Sequence, residues 1–224
     1  MAYIVLDVET AGPFGKSLVY DLGLVLCWSD GTIIKSYSWI IQDVFFDMPH
    51  KMKSAYYGYK IPMYNREIAN GNHKVLTMAE AYHQFREICR EYRVRDVWAY
   101  NAQFDERALN YTVNTLSRGF ITKFLPDTVR MKCIMGAFLS TLGATDRYAG
   151  SAARTEKGNI KVSAEEAFRY ISQDCDFMEE HTGLADAVIE NEILRACRKC
   201  HRKMDTTPKQ VTAFPAWREL QKRK

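Results

Sequence analysis

Asp7 and Glu9 stand two residues apart at the end of the apolar run in "IVLDVETAG". In a strand, side chains alternate faces with period two, so both carboxylates point the same way. Two like charges on one face repel, and each loses hydration as the strand enters a core. Two readings follow. In the first, the acids are ordinary polar residues where the strand leaves the core for the turn "AGPFG". In the second, they are oxygen donors for a hard divalent cation such as Mg²⁺, which neutralises a pair otherwise unfavourable. The D-x-E pattern alone leaves both open, so further donors must come from elsewhere in the chain.

Two other segments offer them. Asp105 lies in "AYNAQFDERAL", directly after the candidate strand "DVWAY" and in the first turn of a candidate helix. Open α/β sheets place functional groups beyond strand ends in this way, although an acid in a first helical turn is also what the helix dipole favours. Asn101 is the expected N-cap, and Phe104 is expected in the core. In "EEHTGLADAVIENEIL", His181 and Asp186 are five apart and cannot share a helix face. Gly183 between them puts His181 on a loop and Asp186 at a helix start. A histidine there is commonly a surface polar group; one poised over a carboxylate cluster would suit a general base near neutral pH. Asp174, Asp176, Glu179 and Glu180 crowd the same stretch and are expected to be mostly solvated.

These residues need positioning elements. Residues 3–8 read as a strand, and "LVYDLGLVLCWS" and "TIIKSYSWII" as two more, joined by a hairpin turn at Asp30-Gly31. Residues 43–76 are irregular and aromatic, with short helices and loops expected. Apolar positions 78, 82, 85, 89 and 92 make a helical stripe, opened by a Thr77/Glu80 capping box. A strand at 96–100, a helix from 104, and an extended stretch turning helical within "PDTVRMKCIMGAFLSTL" follow. Residues 144–162 read as a polar loop, Ser163/Glu166 as a second capping box, and residues 185–201 as the last clear helix. Three hairpin-joined strands followed by helix, strand, helix, strand give an α/β domain with a mixed sheet.

The chain has 224 residues, 47% hydrophobic and 26% charged, which suits a globular domain. No apolar run approaches the roughly 20 residues that span a membrane, and acids interrupt the N-terminal apolar stretch too early for a signal peptide. Six scattered cysteines argue against a disulfide scaffold and for a reducing, cytoplasmic compartment. The formal charge of +4 is uneven: residues 195–224 carry +8 and residues 45–74 carry +3, leaving −7 for the remainder. Basic segments attract polyanions such as nucleic acid. The expected division is a domain over residues 1–204 and a basic tail over 205–224, an appendage with "AFPAW" as an anchoring or binding patch. "CRKCH" at 197–201 formally matches a c-type haem attachment site, and with Cys175 a zinc site. Cys197 and Cys200 lie on the apolar stripe of a helix, so buried thiols are expected instead.

Taken in order, "DVET", "NAQFD" and "HTGLAD" resemble the three motifs of the DEDDh 3′→5′ exonucleases, and "PDTVRM" resembles that family's Asp-Thr segment. The group includes the proofreading subunit of bacterial DNA polymerase III, RNase T, oligoribonuclease and many phage exonucleases. The resemblance covers roughly residues 3–195. It implies a ribonuclease H-like fold, a mixed five-stranded sheet flanked by helices. It implies that Asp7, Glu9, Asp105 and Asp186 hold two Mg²⁺ ions, for which Mn²⁺ can substitute, and that His181 is the general base. The implied reaction is two-metal phosphodiester hydrolysis, releasing 5′-nucleotides from a nucleic acid with a free 3′ end. Thr10 and Ala11 would lie near the terminal nucleotide. A free-standing, phage-type enzyme acting on DNA is expected. The alternatives are an exoribonuclease or a non-catalytic nucleic-acid-binding module on the same fold. Lys51, Lys53, Tyr56 and Tyr57 in the 45–74 segment mix rings with cations as single-stranded nucleic acid requires; the same aromatics would also serve as a cover over the sheet.

Overall fold

The computed structural model describes residues 1–13 and 15–222, so Phe14 of the expected turn and Arg223 and Lys224 of the tail lie outside the described residues. Six strands form one mixed sheet in the order β4-β3-β2-β1-β5-β6. They are β1 (Ala2–Ala11), β2 (Leu18–Trp28), β3 (Ile33–Ile41), β4 (Lys74–Leu76), β5 (Asp96–Ala99) and β6 (Arg130–Cys133). The first three are antiparallel neighbours; β4 joins β3, β5 joins β1 and β6 joins β5 in parallel. The expected hairpin turn is present, with Gly31 at φ +94° and Asp30 Oδ1 accepting the Thr32 N–H. The sheet has one strand more than expected. The residues "KVL" of β4 are too short to show a period, and only their pairing with β3 along Trp39–Ile41 makes them a strand.

The helices are α1 (Gln42–Phe45), α2 (Pro49–Lys53), α3 (Ile61–Ala69), α4 (Met78–Glu91), α5 (Ala102–Leu116), α6 (Ile134–Ser140), α7 (Asp146–Ser151), α8 (Ala164–Ser172), α9 (Gly183–Lys199) and α10 (Pro215–Gln221). Thr77 and Glu80 cap α4 reciprocally, as a capping box requires. Ser163 accepts the Glu166 N–H at the start of α8, but the Glu166 carboxylate turns instead to the Ala153 N–H at 2.8 Å. The stretch read as a polar loop contains α7, because Thr145 caps it and Tyr148 and Ile160 are buried. β1 and β2 are buried almost throughout, the pattern of strands covered on both faces.

Helix α9 lies on β1 and β2, tied by Tyr3 Oη donating to Asn191 Oδ1 at 2.7 Å. Its first residue, Gly183, touches the β2 backbone. A Cβ at Gly23 would overlap the Gly183 carbonyl group, and one at Gly183 would come 2.6 Å from the Gly23 nitrogen and 3.0 Å from the Asp7 oxygen. Since Gly23 is the register partner of Asp7, this backbone approach sets the start of α9 beside the β1 acids. The role of Gly183 is therefore contact, in addition to ending the loop.

The segment after Asp205 is packed against the body rather than hanging from it. The Asp205 N–H donates to Ser140 Oγ (2.9 Å), and the Cys133 N–H donates to the Thr206 oxygen (2.8 Å). Phe214 and Leu220 are each 1% exposed, and the Phe214 ring occupies the space that a Cβ on Gly136 would fill. Gln221 closes the segment, accepting the Ile160 N–H at 2.7 Å and donating to the Ile160 oxygen at 3.1 Å. Apolar residues at intervals, not the net charge, decide where this tail goes.

Two stability changes are expected. Gly23→Ala should cost about 1–3 kcal/mol or more, because two backbones must separate to admit the methyl group; an unchanged urea midpoint would contradict the close packing. Phe214→Ala should cost about 3–5 kcal/mol, the usual value for a buried aromatic ring. A solvated tail would lose almost nothing, and urea denaturation separates the two cases.

Candidate active site

Asp7, Glu9, Asp105, His181 and Asp186 line one cavity of about 760 Å³ at the carboxyl ends of β1 and β5. β1 brings Asp7 and Glu9. The turn after β5 starts α5, whose first turn carries Asp105 at 3% exposure. The α9 N-terminus carries Asp186, whose own N–H donates to the Thr182 oxygen at 3.0 Å. Glu9, His181 and Asp186 present ligand atoms within 4.8 Å of one another, close enough to share a metal ion.

The electrostatics are those of uncompensated acids. Burial pushes Asp7 well above the ordinary carboxylate range, and Asp105, Asp186 and Glu9 push it further. Burial, then Asp186 and Asp21, raise Glu9 to about 9. Burial, then Glu179, raise Asp186 to about 8. Burial raises Asp105 to about 7 against a hydrogen bond from the Val8 N–H. Each shift records first the cost of burying a negative charge, and for Asp7, Glu9 and Asp186 the neighbouring acids add to it. The one ammonium acting on the group is Lys60, which lowers Glu9 and Asp186 only in part.

Three acids that the sequence did not single out as site residues belong to this group. Glu190, one turn after Asp186 on α9, is 2% exposed and accepts the Tyr100 N–H at 3.0 Å. Glu179 lines the cavity and faces His181 Nδ1 at 3.6 Å, so it is not among the solvated acids of its stretch. Asp21, the register partner of Glu9, is completely buried; its Oδ2 accepts from Tyr64 Oη (2.8 Å) and from the Gly183 N–H (2.9 Å). Its other oxygen has no hydrogen-bond partner. Asp21 thus ties the start of α9 to β2 and to α3. An acid inside the apolar run "LVYDLGLVLCW" was the signal available for it.

His181 stands on the loop before α9 with φ +50°, a left-handed conformation rare outside glycine. Two residues of the 43–76 segment hold it. The Tyr57 ring stacks on the imidazole at 4.7 Å, with 16° between the planes. Lys60 Nζ donates to the backbone oxygens of Glu180 and, at 3.0 Å, of His181. Burial and then the Lys60 charge lower the imidazole pKa, which favours the neutral ring.

The sequence-derived substrate contacts divide. Thr10, Tyr56 and Tyr57 line the cavity, with Tyr56 85% exposed at its rim. Ala11 is fully buried, pairs with Leu18 and is not part of the wall. Lys51 and Lys53 lie in and at the end of the short α2 and do not reach the wall. Asn101 makes no capping bond; it is exposed and lines the cavity, as does Phe104, which is half-buried. Gln210, Val211 and Thr212 of the packed tail complete the opposite side. Cys197 is buried as expected and Cys200 half-buried, whereas Cys175 is exposed; no cysteine joins a metal-binding group among the described residues.

No family model and no curated protein matches this chain. Solved structures do. E. coli exonuclease I in complex with a dT13 oligonucleotide superposes with TM-score 0.58 at 11% identity, over 89% of this chain and 41% of that one. The nuclease domain of 3′hExo, a DEDDh family member bound to rAMP, gives 0.59 at 11% identity over 93% and 97%. A 3′-exonuclease recognising the histone mRNA stem-loop gives 0.60 at 11% identity over 91% and 66%. The chain spans about two fifths of the length of exonuclease I. At these identities the likeness is one of fold: this is the ribonuclease H-like α/β fold of the DEDDh-type 3′→5′ exonucleases.

The acid cluster makes stability depend on pH with a definite sign. Unfolded, these carboxyls release their protons near pH 4; folded and metal-free, Asp105, Asp186 and Glu9 hold them to about 7, about 8 and about 9. Between these limits the native state binds more protons than the unfolded chain, so stability falls as pH rises. In EDTA the melting temperature should drop from about pH 5 to about pH 9, and Asp186→Asn should flatten the drop. A melting curve equally steep in the variant would remove Asp186 from the repulsive group.

Proposed function

We propose that the chain is a metal-dependent 3′→5′ exonuclease that releases 5′-nucleotides from a nucleic acid with a free 3′ end. The observation that carries this reading is the convergence of Asp7, Glu9, Asp105 and Asp186, with His181, on one cleft of a DEDDh-type fold. The donor set fits a hard divalent cation: oxygen ligands, crowded and unneutralised, with raised pKa values that a bound ion would bring down. Asp7, Glu9, Asp105 and Asp186 would hold Mg²⁺ or Mn²⁺, which when bound supplies positive charge to polarise the scissile phosphate and acidify water.

The remaining work falls to the chain's own groups. His181 takes the proton of the attacking water at Nε2, while Nδ1 faces the Glu179 carboxylate, which stabilises the imidazolium that forms. The Tyr57 ring and the Lys60 ammonium keep the imidazole and its loop in place. Water attacks phosphorus, the bond to the 3′-oxygen breaks, and the departing mononucleotide carries the 5′-phosphate. Tyr56 at the rim offers a stacking face for a base. Phe104 and Val211 contribute apolar surface to the cleft wall.

The decisive experiment follows 5′-labelled single- and double-stranded DNA and RNA, with Mg²⁺ and with EDTA. The reading expects a ladder shortening one nucleotide at a time from the 3′ end in Mg²⁺ alone, with DNA as the first substrate to try. Asp7→Ala, Glu9→Ala, Asp105→Ala and Asp186→Ala should each abolish it while the protein stays folded. His181→Ala should slow turnover by roughly 10²–10⁴-fold, the usual worth of acid–base catalysis. Internal cuts, or full activity without divalent metal, would defeat the proposal.

A further inference from the structure

At the amino ends of β5 and β6, the end of the strands opposite the cleft, the chain makes a second concavity of about 540 Å³ between the last turns of α4 and the segments leading into those strands. Four arginines surround it, Arg86, Arg90, Arg93 and Arg95, with His83 and a single acid, Glu87. Glu87 sits 3.6 Å from Arg90, and both side chains are largely exposed, so the pair neutralises little. Arg86 lies over the Tyr82 ring at 5.0 Å. Among the described residues Arg93 and Arg95 have no carboxylate within ion-pair distance. Buried Val94 between them turns both outward. Arg93 occupies the left-handed position after the helix, φ +52°, where glycine would be cheaper. The α4 C-terminus accounts for one or two cations through its dipole; it does not account for four converging on one hollow of a body that is otherwise acidic.

We infer that this arginine-lined hollow is a second binding site for nucleic-acid phosphodiester groups, distinct from the carboxylate cleft. Guanidinium forks match phosphate oxygens in pairs, and fixed elements hold these four: α4, and a β5 lead-in whose Arg95 oxygen accepts the Arg130 N–H at 2.9 Å. The two basic segments of the sequence leave the task open, because many of their cations are occupied. Lys60 is bound to backbone oxygens, Lys209 to Asp205 and Arg195 to Glu192, while Arg198 and Arg202 donate to the backbone oxygens of Ser29 and Thr141. Arg95 and Tyr100 stand at the two ends of β5, roughly 16 Å apart at the rise of a strand. A strand whose 3′ end occupies the cleft could therefore meet the arginines only with its more distant nucleotides. The site would recruit and retain long substrates without touching the reacting phosphate.

The choice of nucleic acid as ligand rests on the exonuclease reading, and the test keeps the two apart by measuring binding without cleavage. Wild type and the triple variant Arg86→Gln/Arg93→Gln/Arg95→Gln are titrated in EDTA with a 5′-labelled oligothymidylate long enough to reach from the cleft to the hollow. The single variant Arg95→Glu serves as a second probe, and thermal melts verify folding. The triple variant should bind the long strand about tenfold more weakly, and its salt slope should shrink by about 2, at about 0.7 for each phosphate that is no longer neutralised. In Mg²⁺ its turnover of a dinucleotide should equal wild type. Unchanged affinity and salt slope for the long strand in both variants would overturn the inference. So would arginine-dependent binding of poly-glutamate with oligonucleotide binding intact, which would mark an acidic protein surface as the ligand. Should no substrate be cleaved in Mg²⁺, the exonuclease reading fails while the binding result stands.

Discussion

Four carboxylates that repel one another are held on one cleft, and much of the fold can be understood as the apparatus that holds them. Asp7, Glu9, Asp105 and Asp186 gain nothing from each other; every one has its pKa raised by burial, and in three of them neighbouring acids add to it. Left to local forces, the four would separate into water. The apolar sheet, buried along nearly the whole of β1 and β2, supplies the opposing free energy.

The joint that transmits this constraint is a backbone contact. Gly23 and Gly183 approach so closely that a methyl group fits on neither side, and Asp21 fastens the same joint through the Gly183 N–H. Asp21 is itself an expense, a buried carboxyl with one oxygen unpartnered. It is tolerated because it fixes where α9 begins, and hence where Asp186 and Glu190 stand relative to β1.

Segments outside the sheet finish the cleft. The aromatic segment between β3 and β4 reaches over to the loop before α9: Tyr57 covers the imidazole of His181 and Lys60 grips the loop by its carbonyls. The C-terminal segment closes the other side with Gln210, Val211 and Thr212, pinned by Phe214 and Gln221. Lys60, the cation that acts on Glu9 and Asp186, is thus spent on architecture, and Arg93 and Arg95 lie beyond the opposite end of β5.

The sequence alone determined the short-range features, because their causes are short-range. Apolar runs bounded by turn residues made the first three strands and a capping box opened α4. D-x-E in a strand, an acid after a strand end and a histidine on a Gly-terminated loop carried the resemblance to the exonucleases. Tertiary structure decided what depends on distant partners. β4 is a strand only because β3 offers an edge, and Ala11 is buried in pairing with Leu18. Asn101 stands at the N-cap of α5, as expected, but its side chain makes no capping bond and it lines the cleft. Glu190 and Asp21 join the acids because α9 and β2 bring them there, and Glu179 because the loop before α9 does, although in sequence nothing sets these three apart from other acids. The basic tail was expected as an appendage with "AFPAW" as an anchoring or binding patch; the structure buries Phe214 of that patch together with Leu220, since apolar burial acts over contact distance whereas surface charge is screened by water and salt.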